Sequence, residues 1–143
     1  MLENFRYQIP IEVRFADLDA LGHLNNAKYL TYAEQIRILY IRDVCERKGG
    51  AWEALGMILA RTEIDYLLPV AFDDKVLVYC RVSRIGGKSF DMDYLLTRQR
   101  GDSDKEIAAR IKTVMVAYDY SKDATISVPD DWRERMIAYE PAL

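Results

Sequence analysis

Residues 19 to 30 read DALGHLNNAKYL: an acid, a glycine, the chain's single histidine and two asparagines, set directly before an aromatic-rich segment. Asn25 and Asn26 are both suited to cap a helix, where a side-chain oxygen takes one of the free amides of the first turn. The other amides of that turn have no intrahelical partner. Together with the macrodipole they form a site that favours negative charge. Asp19 stands a few residues upstream, on a loop that Gly22 allows to fold back. An ionised acid serves as nucleophile or as base for a water. Leftover amides stabilise an oxyanion. One loop-to-helix junction therefore holds both ingredients of acyl transfer. The same residue types also make turns and caps with no chemistry attached. Asp17, the other acid of the loop, fits a turn or salt-bridge residue on the surface. His23 fits a hydrogen-bonded structural residue. A lone histidine gives no basis for a His-rich zinc site. The GG pairs at 49 and 86 read as a helix cap and a turn, not as a nucleotide loop.

Several elements must position that junction. Residues 7–15, YQIPIEVRF, alternate apolar and polar, with Ile9, Ile11, Val13 and Phe15 on one face of a strand. From Asn26 to Glu46 the chain has good helix formers and no Pro or Gly. Ala27, Leu30, Ala33, Ile36, Tyr40 and Val44 make one apolar stripe, and Tyr29, Tyr32, Leu39 and Ile41 extend it around the helix. Such a helix must be covered on more than one side. Gly49 is available as its left-handed cap, and AWEALGM then fits a short helical turn. Four strand-like runs follow, at 58–67, 75–85, 88–99 and 106–119. In the second, Val76, Val78, Cys80 and Val82 share a face; in the third, Phe90, Met92, Tyr94 and Leu96 do. Gly86 and Gly87 mark the hairpin between them. A terminal helix begins after Pro129, with Asp130 and Asp131 at its positive end. The layout is α+β: a curved antiparallel sheet wrapped around one long central helix of about 30 Å. The outer strand edges then require a partner or a cover.

The totals bound the function class. The chain has 143 residues, half of them apolar, which fits one domain over 1–143. The net charge of −3 gives no footprint for nucleic acid. No apolar run approaches the roughly 20 residues of a membrane span. The N-terminus MLENFRYQIP lacks the pattern of a signal peptide, so the expected location is cytoplasmic. Cys45 and Cys80 fit reduced core residues. The residues imply neither metal nor cofactor.

RFADLDALGHLNNAKYLTYAEQIR resembles the opening motif of the 4-hydroxybenzoyl-CoA thioesterase-like family of hotdog-fold acyl-CoA thioesterases. The likeness continues through DYLLPVAFDDKVLV, RVSRIGGKSF and VMVAYD, and so covers nearly the whole chain. It implies a hotdog fold whose subunits join sheets edge to edge, with active sites at the dimer interface and dimers able to stack into tetramers. It implies that the protein hydrolyses acyl-CoA or acyl-phosphopantetheine thioesters. Asp19 matches the family's catalytic aspartate. Asn26 matches the position whose backbone amide lies in the oxyanion hole. Gly56 aligns with a glycine that contributes a second amide. Lys88 matches a basic position that meets the CoA phosphates, with Arg84 in the same turn. The resemblance places Asn25 and His23, within the motif itself, among the substrate-binding residues, and GHLNNAKY is closer to the fatty-acyl than to the aryl branch. Tyr29 and Tyr32, one helical step apart, are placed to line the acyl pocket; plain core packing is the competing role. Glu34 recurs in helices of the family and fits a structural hydrogen bond.

Two other readings share the fold. A hotdog hydratase or dehydratase uses an Asp and a more distant His with Asn-Pro between them. Here Asp19 and His23 are four apart with ALG between. A non-catalytic acyl-binding protein would have no use for an acid beside the helix start.

Overall fold

The computed structural model describes residues 2–47 and 56–143. The described elements run β1 (Tyr7–Ile11), α1 (Asn26–Val44), β2 (Gly56–Tyr66), β3 (Lys75–Ile85), β4 (Ser89–Gln99), β5 (Glu106–Asp119), β6 (Ala124–Thr125) and α2 (Asp130–Tyr139). The strands form one antiparallel sheet in the order β1-β3-β4-β5-β2, with β6 paired to the end of β5. This is the hotdog arrangement, a sheet curled around a long helix.

Period-two alternation decides which strand face meets α1. Val76, Val78, Cys80 and Val82 of β3 are buried, as are Phe90, Met92, Tyr94 and Leu96 of β4. All lie in one core with Tyr29, Tyr32, Ala33, Ile36, Tyr40 and Ile41 of α1. The opposite sheet face carries charge in register. Glu63 pairs with Lys112, Lys112 with Asp93, and Asp93 with Arg81, the last as an ion pair of 3.1 Å. The two outer strands are β1 and the longer β2.

Several expectations need correction. The first strand ends at Ile11, and a single 3-10 turn occupies Phe15–Asp17. Val13 is still buried, but Phe15 is 81% exposed. The central helix stops at Val44, with Cys45 as its C-cap. Its left-handed terminating residue is Glu46, at φ 52°, and an Arg135–Glu46 ion pair holds the side chain. The cap expected at Gly49 and most of the turn expected at AWEALGM lie outside the described residues; Gly56 and Met57 at its end begin β2. The buried stripe of α1 omits Ala27 and Leu30, which are exposed. It includes Arg37, whose guanidinium donates to the Tyr94 hydroxyl. At the far end, Glu140 follows α2 and accepts from Tyr40 Oη and Val82 N–H, tying that helix to both α1 and β3. Cys45 and Cys80 are buried free thiols. Burial pushes the Cys45 thiol up to about 12 and Cys80 well above its ordinary value, so neither supplies a thiolate.

Candidate active site

The loop before α1 closes on Asp19. Leu18 and Leu24 form an isolated antiparallel bridge, and Asp19 N–H donates to His23 O at 2.8 Å. Asp19 Oδ1 accepts from Leu21 N–H at 2.9 Å and from His23 N–H at 3.3 Å. Gly22 turns the chain at φ 78°, in the left-handed region that favours glycine. Both amides fall on Oδ1, so Oδ2 has no protein donor among the described residues. A carboxylate fixed through one oxygen and open at the other is arranged to take a proton or attack a carbon. His23 contributes main-chain bonds, and its residue is exposed.

Asn25 is the N-cap of α1, its Oδ1 accepting from Ala27 N–H at 2.9 Å, while its carbonyl accepts from Lys28 N–H at 2.8 Å. That leaves the Asn26 amide at the helix start among the groups helix geometry does not satisfy. Asn26 is an exposed residue beside the loop that carries Asp19.

Asp17 departs most from expectation. It is 2% exposed rather than on the surface. Tyr32 Oη donates to its Oδ2 at 2.7 Å, Arg14 Nη2 to its Oδ1 at 3.1 Å, and Lys28 Nζ lies 3.8 Å away. Its own carbonyl accepts from Asn25 N–H. Burial raises the Asp17 pKa, but the donated hydrogen bonds outweigh it and hold the carboxyl below its ordinary value. Burial and then the Asp17 carboxylate push the Tyr32 hydroxyl up. Asp17 and Tyr32 are thus a buried clasp that fixes the Asp19 loop against α1. Tyr32 therefore serves this clasp through its hydroxyl. Tyr29 is also buried, with its ring edge-on to Tyr66 and its hydroxyl 3.5 Å from Leu68 O.

Residues 66–71 brace the same junction from the other side. Leu24 N–H donates to Val70 O at 2.7 Å, His23 bridges Ala71, and Tyr66 Oη donates to Asn26 O at 2.9 Å. Arg98 reaches from β4 to Pro69 O. Sequence reading missed this brace; DYLLP signals a strand end, but not its contacts.

The remaining expected residues lie at the other end of the sheet. Gly56 pairs with Tyr118 and Ser89 with Val116, whereas Tyr66 pairs with Ala109. The length of β2 separates the two ends by about 33 Å. Lys88 is exposed on the β3–β4 hairpin. Arg84 makes a two-pronged pair with Asp91, both contacts 3.2 Å. One chain alone therefore does not bring Gly56, Arg84 and Lys88 to Asp19. Between α1 and β2 runs a groove. Its wider part, about 330 Å³, is lined by Ile38, Ile41, Met57 and Trp132 among others. The part nearer the helix start, about 180 Å³, is lined by Leu30, Thr31 and Thr62 among others. Glu34, Arg37 and Leu59 border both. Glu34 pairs with Arg37 at 3.6 Å. Among the described residues no cluster of His, Cys, Asp and Glu could hold a metal ion, and no helix is long and apolar enough to cross a membrane.

The model of the Thioesterase-like superfamily matches residues 13–136, a span that includes both the Asp19 loop and the whole sheet from β2 to β5. The chain belongs to the thioesterase-like superfamily. Among members with solved structures, a thioesterase from Thermus thermophilus, complexed with coenzyme A and Zn, is 34% identical, with a TM-score of 0.79 and 95% of each chain covered. The long-chain acyl-CoA thioesterase FadM of Escherichia coli is 21% identical over 129 residues, which is 90% of this chain and 96% of that one. A 4-hydroxybenzoyl CoA thioesterase mutant complexed with 4-hydroxybenzoyl CoA shares the fold at a TM-score of 0.81 and 16% identity, covering 90% of this chain and 96% of the other.

Proposed function

We propose that the protein is an acyl-CoA thioesterase whose reacting groups are Asp19 and the Asn26 amide. The observation that carries this reading is the Asp19 carboxylate, held through Oδ1 and open at Oδ2, on the loop that runs into a helix start with a spare amide. Asp19 Oδ2 takes a proton from water, and the water oxygen bonds to the thioester carbonyl carbon. The Asn26 N–H receives the negative charge that develops on the carbonyl oxygen. Collapse breaks the C–S bond, Asp19 returns its proton to the departing sulfur, and the carboxylic acid and the CoA thiol are released. In the covalent variant Asp19 attacks first and water then opens the anhydride. Both routes use the same residues.

The site is completed by a second copy of the chain. An antiparallel self-pairing of the open β2 edge, centred on Arg61, sets Gly56 opposite the partner's Tyr66. Tyr66 touches Asn26. Such pairing carries Gly56, and the hairpin with Lys88, to the Asp19 end of the other subunit. Lys88 then meets the phosphates of CoA, while Arg84 stays with Asp91. The acyl group lies in the groove between α1 and β2.

Incubation with CoA thioesters of graded chain length, and with acyl groups on a phosphopantetheine carrier protein, tests the activity by released thiol. Thiol release is expected from the CoA panel. Tight binding with no release would establish the acyl-binding reading, and a water adduct would establish the hydratase.

A further inference from the structure

We infer that Tyr66 is a positioning residue that aims the Asn26 amide at the forming oxyanion, an inference that rests on the role proposed above for that amide. Tyr66 Oη donates to Asn26 O at 2.9 Å, and Asn25 Oδ1 accepts from Ala27 N–H at 2.9 Å. These two bonds grip the carbonyl and the amide ends of one peptide unit, the one joining Asn26 to Ala27. The N–H that faces the substrate sits on the adjacent bond to the same Cα. Fixing the peptide plane on one side of Asn26 limits the swing of the amide on the other.

The bond is not needed to satisfy a buried group. Asn26 is the first residue of α1, and the helix ladder already uses its carbonyl. In the single chain Tyr66 is 44% exposed, and its hydroxyl there has water as an alternative partner. A hydrogen bond exchanged for water contributes little to stability. Its effect is therefore geometric. The tyrosine is held stiffly enough to act as a strut. Its ring meets Tyr29 edge-on, with centroids 5.1 Å apart. The chain just beyond it is pinned by Leu67 N–H and Leu68 N–H, both donating to Ala108 O. The strut thus runs from the sheet, through Tyr66, to the first peptide of the helix.

Tyr66→Phe removes only the hydroxyl. The expected result is a kcat lowered about tenfold at unchanged KM, since small misplacements of a reacting geometry cost rate rather than affinity. The melting temperature should move by no more than about 4 °C, the effect of about 1 kcal/mol. The deciding readout is vibrational. The acyl-CoA hydrolysed fastest in the chain-length panel, isotope-labelled at the thioester carbonyl, is bound to Asp19→Asn enzyme. Its carbonyl stretch should shift to lower frequency than in water, and adding Tyr66→Phe should return part of that shift. An unchanged shift with Tyr66→Phe, or an unchanged kcat, overturns the inference. A loss of activity that follows the melting temperature while the shift persists also overturns it, leaving Tyr66 a structural role. No shift in Asp19→Asn itself means that no oxyanion donor acts on the carbonyl, which defeats the Asn26 reading first.

Discussion

Asp17→Asn should destabilise the protein without removing a reacting group. The substitution keeps one oxygen at Oδ2, where Tyr32 Oη and Arg14 N–H donate. It replaces Oδ1 by an NH₂ that faces the Arg14 guanidinium and the Lys28 ammonium, both donors. Hydrogen bonds to a charged partner are worth about 1.5–3 kcal/mol. Arg14 is largely exposed, so its share is discounted. Tyr32 keeps its acceptor and loses only the charge assistance of that bond, about 1 kcal/mol, and the donors left facing an NH₂ at the former Oδ1 add about as much, for a total of about 2 kcal/mol. For a chain of this size that lowers the melting temperature by roughly 5–10 °C. The pH dependence has a definite sign. The folded pKa lies below the unfolded one, so the carboxylate's contribution is fully present above the unfolded value of about 3.9. It is lost as pH falls through the folded value. Melting curves of wild type and variant should therefore differ by a constant amount from pH 5 to 8 and converge below about pH 4. Equal melting temperatures at neutral pH, or a gap that persists undiminished in acid, would refute the clasp. Tyr32→Phe should reproduce part of the loss, and the double variant should show coupling between the two.

The assembly and the carrier contacts give two further tests. Leu59 is 50% exposed on the β2 edge, so Leu59→Lys should shift the proposed dimer toward monomer in light scattering. A stable wild-type monomer of 16.6 kDa at micromolar concentration would contradict the shared site. Lys88→Gln should raise KM for CoA thioesters about fivefold, the equivalent of about 1 kcal/mol for a surface charge contact, and leave kcat unchanged. Arg84→Gln should alter KM less, because its guanidinium is held by Asp91; an unchanged KM for Lys88→Gln would remove that residue from the phosphate site.

Much of the scaffold was legible because side-chain period follows backbone geometry. The β3 and β4 faces could be assigned from alternation alone, and the cap from the residue types at 25 and 26. The helix stripe was misplaced at Ala27 and Leu30 because apolar spacing does not say which side of a helix faces the sheet and which an open groove. Asp17 makes the expected turn and salt bridge but departs from the expected surface position for a related reason. A carboxylate reads as surface until a donor is found for it, and that donor, Tyr32, lies fifteen residues away and reaches it only through the fold. The brace at 66–71 is long-range in the same way, since Tyr66 contacts Asn26 forty positions back. Glu46 takes a left-handed φ of 52° just past the end of α1, while the expected cap, Gly49, lies outside the described residues. Gly56, Arg84 and Lys88 came from family resemblance, and their separation from Asp19 within one chain is a matter of topology that no local pattern contains.

Turnover of Asp19→Asn decides whether the Asp19 carboxylate reacts. The asparagine keeps an oxygen for the Leu21 and His23 amides, so the loop retains its closure, while the base or nucleophile is gone. kcat on the best CoA thioester should fall by about 10²–10⁴, with nearly unchanged substrate affinity and a melting temperature close to wild type. A fully active Asp19→Asn enzyme, or one whose lost activity is matched by lost folding, would contradict a reacting carboxylate.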